Sequence, residues 1–423
     1  MQTFIAIWLL LVAAPLSAQS FADEIEGLVQ PHAEAGLFSG VILVANSDEV
    51  IFQKGYGFAN WEQRVANNAT TRLGVGSITK SMTVNVADAL IEEGRIRLDD
   101  PVEEYIPDFP RGPAGGMATI EHLLHHRAGV PHRVTSAAEE SQPMSTSDIV
   151  AKVAGLGLLF EPGSERLYSS AGYTTLARVL EVAGNQPFSQ LIADYVFVPA
   201  GMSSARSETG QDLMAWRALP YRLGADANGM VVKHAPYKDL RFLTGAGSIY
   251  ATASDLHRYV RAIDNGVFGD EARADLFGDD LTAWRGIYGR TNGYEASVDV
   301  FAGEQVLIVL LSNLQSATTG QVRARLQALV AGGEVVEIPL PPDVGDAFED
   351  PADIVGVYGR AEIHIVSGAL FRGDNEFYPT DGGYYIPGSG TRMTFRRNSA
   401  GLVDALISTS ASGRESVLEK TAR

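Results

Sequence analysis

A serine and a lysine stand three positions apart in "GVGSITKSMT", residues 74–83. On a helix, positions i and i+3 share one face, so Ser77 and Lys80 adjoin each other if a helix begins here. A serine hydroxyl is a weak nucleophile until a base takes its proton, and a lysine of lowered pKa can be that base. A helix start also aims backbone N–H groups at the negative charge that develops during acyl transfer. The competing reading is a serine N-cap followed by an ordinary surface lysine. Lysine is scarce, six of the 33 basic residues, which makes a chance Ser-x-x-Lys infrequent.

The elements that must carry this pair are legible in the periodicity. Ile78, Met82, Val86 and Leu90 form an i, i+4 row that predicts one buried helical face, with Gly94 closing the helix. Upstream lie a helical stretch from Phe21 to His32 and two strand candidates, 40–45 and 50–59, joined by the turn-forming Asn46-Ser47-Asp48. Helical patterns recur at 119–127, 172–184 and 254–263. Downstream, "ASVDVF" (296–301) and "QVLIVLLSN" (305–313) predict a hairpin around Ala302-Gly303-Glu304. The second of these strands is apolar almost throughout, which places it mid-sheet with both faces covered. A helix over 319–330 covers one of them. Strands at both ends with helices between predict an α/β sandwich whose sheet unites the two extremities of residues 19–331. Residues 332–352, rich in proline and acid and without periodicity, read as a linker. From 353 to 423, short strands at 361–366, 392–397 and 402–408 between glycine-rich turns predict a small β-rich domain.

Composition narrows the chemistry. A net charge of −18 over 423 residues argues against nucleic acid and against anionic membrane surfaces as partners. The absence of cysteine excludes a thiol nucleophile and a cysteine-ligated zinc. The apolar run Phe4–Ala14 followed by Leu16-Ser17-Ala18 reads as a secretory signal over residues 1–18, implying a periplasmic or secreted protein. No later segment approaches membrane-spanning length.

Two further segments sharpen the reading. "FEPGSERLYSSAGYTTLARVLEVAG" (160–184) sets Tyr168 just before a helix, and "IYGRTNGYEASVDVF" (287–301) brings a glycine-containing strand up to the hairpin. With Ser77 and Lys80, the sequence resembles the penicillin-recognising serine hydrolases: class C β-lactamases, D-Ala-D-Ala carboxypeptidases, D-aminopeptidases and family VIII esterases. Their marks are Ser-x-x-Lys, then Tyr-x-Asn, then Lys/His-Thr-Gly. "ATIEHLLHHRAGV" (118–130), "PAGM" (199–202) and "GAGSIYATASDLHRYV" (245–260) also resemble family segments, over roughly residues 24–331.

The resemblance implies a class C β-lactamase-like fold, an antiparallel sheet flanked by helices with a helical subdomain. It implies Ser77 as acylated nucleophile, Lys80 and Tyr168 sharing its proton, and Ser77 and Arg290 N–H groups, the latter after Gly289, as oxyanion donors. For a phenol to shuttle protons, a neighbouring cation, Lys80, is expected to lower its pKa. Neither cofactor nor metal is required, and the expected partner is a small-molecule or short-peptide substrate.

The sequence departs from the pattern twice. Ser170 stands where asparagine is usual, either touching substrate or capping a helix from Ala171. In the third motif Ile287 replaces the Lys or His, followed by Tyr288 and Gly289, with Arg290 one position late and in danger of facing the wrong side of the strand. A second register sets Trp284-Arg285-Gly286 at the motif and makes Ile287 N–H the donor. Isoleucine cannot hold a substrate carboxylate, so the expectation is an esterase- or peptidase-like hydrolase. The alternatives are a β-lactamase or carboxypeptidase and a silent penicillin-binding-like sensor. A metal hydrolase built on His122, His125 and His126 is the remotest, since no H-E-x-x-H follows.

Overall fold

The computed structural model describes residues 18–421 apart from 48, 211–212, 227–228, 279, 281–282, 304, 346–349, 367–368 and 374. All but the last residue of the expected signal sequence lies outside them. Helix α1 (Ala18–Glu34) leads into strands β1 (Gly40–Ala45) and β2 (Val50–Tyr56). After helices α2 (Ile78–Glu92), α3 (Thr146–Leu156), α4 (Ser170–Gly184) and α5 (Ala253–Asp264), the chain returns through β3 (Trp284–Thr291), β4 (Tyr294–Phe301) and β5 (Val306–Ser312) to helix α6 (Ala317–Val330).

These strands form one antiparallel sheet, ordered β3-β4-β5-β1-β2, so the first and last parts of this unit pair directly, Leu43 opposite Val309. Strand β5 is central and buried on both faces, as its unbroken apolar run predicts. On one face Ile42, Val44, Ile308 and Leu310 pack against Ile25 and Val29 of α1 and Val322 and Leu326 of α6. On the other, Val41, Leu43, Val309 and Leu311 join Ile78, Met82, Val86 and Leu90 of α2 in the large core beneath the helical subdomain. The predicted row on α2 is therefore its packing face, 0–1% exposed at all four positions.

One polar group on α2 opposes this packing. Burial, reinforced by Glu271, Glu92 and Asp275, raises the Asp88 carboxyl from 3.8 to about 6. A carboxylate whose folded pKa is raised loses stability as pH climbs from the unfolded value through the folded one, and the loss is complete above about 6. Asp88→Asn is therefore expected to raise Tm at pH 7.5, the gain vanishing by pH 4, by circular-dichroism melts.

Residues 333–345 form no helix or strand; within them Ile338 is buried in the cluster formed with α1 and α6, and Pro342 O accepts from the Tyr378 hydroxyl at 2.9 Å. Beyond them an eight-stranded antiparallel meander runs from Gly356 to Glu419. Thr421 N donates to Val357 O (2.8 Å) and Gly359 N to Glu419 O (3.1 Å), joining last strand to first, so the β-rich domain is a closed barrel filled by Tyr358, Phe377, Tyr384, Phe395 and Leu406. It docks on the hairpin 221–234 through Glu376, 8% exposed, which accepts from Ala225 N (3.0 Å) and Lys233 Nζ (2.6 Å).

Candidate functional site

Ser77 is the residue before α2, in helical backbone geometry, and its side chain makes no capping hydrogen bond. Thr119, Ser145, Ser169, Thr252 and Ser316 all cap the helices that follow them. Ser77 Oγ instead accepts from the Tyr168 hydroxyl at 2.8 Å and lies 3.2 Å from Lys80 Nζ. The cap reading fails on geometry.

Lys80 is 6% exposed, and its Nζ donates to Ala246 O at 2.8 Å while sitting 5.0 Å from the Tyr168 ring centre and 5.7 Å from that of Tyr173. No carboxylate pairs with it among the described residues. Burial alone lowers its amine from 10.5 to about 7, so near neutrality a large fraction of it carries a lone pair. Thr83 Oγ1, donating to Gly245 O at 2.7 Å, ties α2 to the loop that supplies the Ala246 carbonyl.

Tyr168 is held by a loop clamped to residues 126–127: Gly163 N donates to Arg127 O (2.9 Å), Leu167 N to His126 O (2.9 Å) and Ser169 N to His126 Nδ1 (3.1 Å). The expectation that Lys80 lowers the phenol's pKa is wrong. Burial raises it, hydrogen bonds with Ser77 and Ser170 offset part of that, and the amine is itself driven toward neutrality. Tyr168 is a neutral phenol, 42% exposed at the cleft mouth.

The two readings of Ser170 separate. Ser169 Oγ accepts from Gly172 N at 2.8 Å and is the cap, so α4 starts one residue earlier than expected. Ser170, the first helical residue, lines the cleft. Sequence reasoning considered His126 only as a zinc ligand and missed His132 here. Their rings lie 4.5 and 5.4 Å from that of Tyr168, and His132 Nδ1 accepts from Ser170 N at 3.3 Å. Burial, then Lys80, lowers His126 to about 4, so it stays neutral. The zinc spacing does not survive folding: the helix spans only Ile120–Leu124, His126 has φ +60°, and His122 Nδ1 accepts from Thr119 N.

Strand β3 approaches Ser77 at Gly289. A Cβ on Gly289 would stand 1.9 Å from Val75 O and 2.8 Å from Ser77 N, and one on Gly76 2.6 Å from Arg290 N. Gly289 and Arg290, not Gly286 and Ile287, are therefore beside the serine, while Trp284 packs on the α1–α6 side. Ile287 joins the apolar core. The Arg290 side chain turns to the opposite face, where its Nε and Nη2 bond Glu295 Oε1 at 2.9 and 2.6 Å. It does not supply the missing cation. A cavity of about 540 Å³ opens from Ser77, walled by His132, Val134, Ile149 and Phe242 and floored by Ala246 and Gly289.

The sequence profile of the family described as Beta-lactamase matches residues 22–332. The chain belongs to the beta-lactamase family. It is thus a member of the β-lactamase and penicillin-binding-protein-like serine hydrolases. PbpX of Bacillus subtilis (strain 168), named as a penicillin-binding protein, is 27% identical over 306 residues, 69% of this chain and 75% of its own. Among solved structures, EstCE1, described as a hydrolase with promiscuous acyltransferase activity, superposes with a TM-score of 0.60 at 22% identity, covering 74% of this chain and 99% of its own. The D-amino acid amidase of Ochrobactrum anthropi SV3 does so at 0.63 and 18%, with the same coverage. At such identities these two establish the beta-lactamase fold and no substrate. Among the described residues no helix is long and apolar enough to cross a membrane.

Proposed function

We propose that this protein is a serine hydrolase that forms an acyl-enzyme on Ser77 and acts on small esters or amides, exported to the periplasm or beyond. The observation that carries the reading is one oxygen, Ser77 Oγ, within hydrogen-bonding reach of both a buried lysine amine and a phenol at the mouth of a cleft. Lys80 Nζ accepts the Ser77 proton as Oγ bonds to the substrate carbonyl. The Ser77 and Arg290 N–H groups receive the oxyanion. As the carbonyl–heteroatom bond breaks, the Tyr168 hydroxyl gives its proton to the leaving group and regains one from Lys80. Water then attacks the acyl carbon by the reverse route, giving acid and free Ser77.

The choice of ester or amide over β-lactam rests on the third motif. A penicillin or D-Ala-terminated peptide brings a carboxylate, and here Ile287 is apolar while Arg290 is engaged by Glu295 on the far face. A panel of p-nitrophenyl esters, D-amino-acid amides and nitrocefin tests it. Turnover of short esters or amides is expected, and efficient nitrocefin hydrolysis with inert esters would overturn it.

The close crossing at Gly289 gives a second expected result. Gly289→Ala pushes β3 away from α2 and with it one oxyanion donor, so kcat should fall about 100-fold or more with the far-ultraviolet spectrum retained.

A further inference from the structure

We propose that the cleft continues around the edge of the sheet into a second, polar compartment that takes an uncharged hydroxyl or carboxamide group of the substrate. This rests on Ser77 being the acylated residue. The same cavity is lined beyond Gly289 by Glu295, Ser297, Thr319, Gly320 and Arg323, with Leu310 at its base. Strand alternation puts Glu295, Ser297 and Asp299 on the face under α6, opposite Ser77, because Ala296 and Val298 fill the core on the other side.

Two features mark this compartment as built for a polar group. Ser297 is 4% exposed and its Oγ has no hydrogen-bond partner, an uncommon state for a buried hydroxyl. The cavity reaches it, since Ser297, Thr319 and Gly320 all line the same space. Thr319, also 4% exposed, likewise has a hydroxyl without a hydrogen-bond partner.

The charges determine which polar group fits. Arg290 places two N–H groups on Oε1 of Glu295 and leaves Oε2 as an acceptor. Asp299, fully buried, is held by Arg323 (2.7–3.1 Å), Gln327 (2.9 Å) and the Tyr288 hydroxyl (2.9 Å). Two cations are thus matched by two carboxylates. A carboxylate entering here meets Glu295, and an ammonium meets Arg290 and Arg323, all three of which line the cavity. A hydroxyl or carboxamide can accept from Ser297 and donate to Glu295 Oε2, satisfying both without unbalanced charge.

Two series of esters test this, one varied in the acyl chain and one in the alcohol, with chains of graded length ending in methyl, hydroxyl, carboxamide, carboxylate or ammonium. The expected result is a kcat/KM preference of about 10-fold for hydroxyl or carboxamide over the methyl isostere in one series. In Ser297→Ala that ratio falls to near one. Because this variant deletes an unsatisfied hydroxyl, its Tm should equal or exceed that of the parent. Thr319→Val provides a second variant with the same expected loss of ratio. The proposal is overturned by no preference in either series, by a preference that survives both substitutions, or by selection of a charged terminus. Fluorophosphonate labelling of Ser77 keeps the two failures apart: labelling without selectivity sinks only the compartment, whereas no labelling removes the nucleophile and the compartment together.

Discussion

Ser77→Ala is expected to lower kcat/KM on any ester or amide the protein turns over by about 10⁴-fold or more. It should also abolish covalent labelling by a fluorophosphonate, with intact-mass spectrometry as the readout. The size follows from what remains: the oxyanion N–H groups and the cleft can still bind and polarise a carbonyl, but nothing attacks it. The variant should melt within about 1 kcal/mol of the parent, because Ser77 Oγ caps no helix and its partners Lys80 and Tyr168 keep Ala246 O and solvent. Retained labelling would show that another residue is the nucleophile and would end the proposed mechanism.

The second large effect is at Lys80. With the amine at about 7, kcat/KM should rise with pH along a limb whose midpoint lies near 7, since only the neutral form can accept the Ser77 proton. Lys80→Met removes that base and should abolish the limb along with about 10³-fold or more of the rate. Its stability should move the other way. The unfolded lysine titrates at 10.5 and the folded one near 7, so between those values the unfolded chain binds the extra proton and holds stability down. This penalty is fully present below about 7, shrinks as pH rises and is gone above 10.5. Lys80→Met is therefore expected to gain on the order of 2 kcal/mol at pH 7, after the lost hydrogen bond to Ala246 O, and less at pH 10. A gain in Tm together with lost activity would identify Lys80 as strained for function. A pH–rate profile flat from 6 to 9 would contradict its role as base.

How much of this was legible beforehand depends on the range of the interaction. The α2 row, the central strand β5 and the sheet joining both ends were readable because periodicity records which faces are buried. Helix 119–127 was over-read: the pattern continues past Leu124, but His126 takes a left-handed turn that lets its ring accept from Ser169 N. Residues 332–352 read as a linker because proline and acid erase periodicity, and that composition gave no sign of Ile338 packing on two helices. The local signal at His126 pointed to zinc and His132 carried none, since their partners beside Tyr168 lie 43 and 38 residues away.

By itself the sequence settled that a serine and a lysine share one helix face, that the strands flanking the helical region belong to one sheet, and that the order of motifs is that of the beta-lactamase family. These depend on spacing along the chain, which backbone geometry converts directly into faces. Only the tertiary structure decided that Ser169 rather than Ser170 is the cap, that the Arg290 side chain turns to the face of the sheet opposite Ser77, and that Lys80 is buried with no carboxylate partner among the described residues. Those outcomes depend on which distant groups close around a side chain, because burial and strand pairing set dielectric and direction, and neither is written in any short stretch of residues.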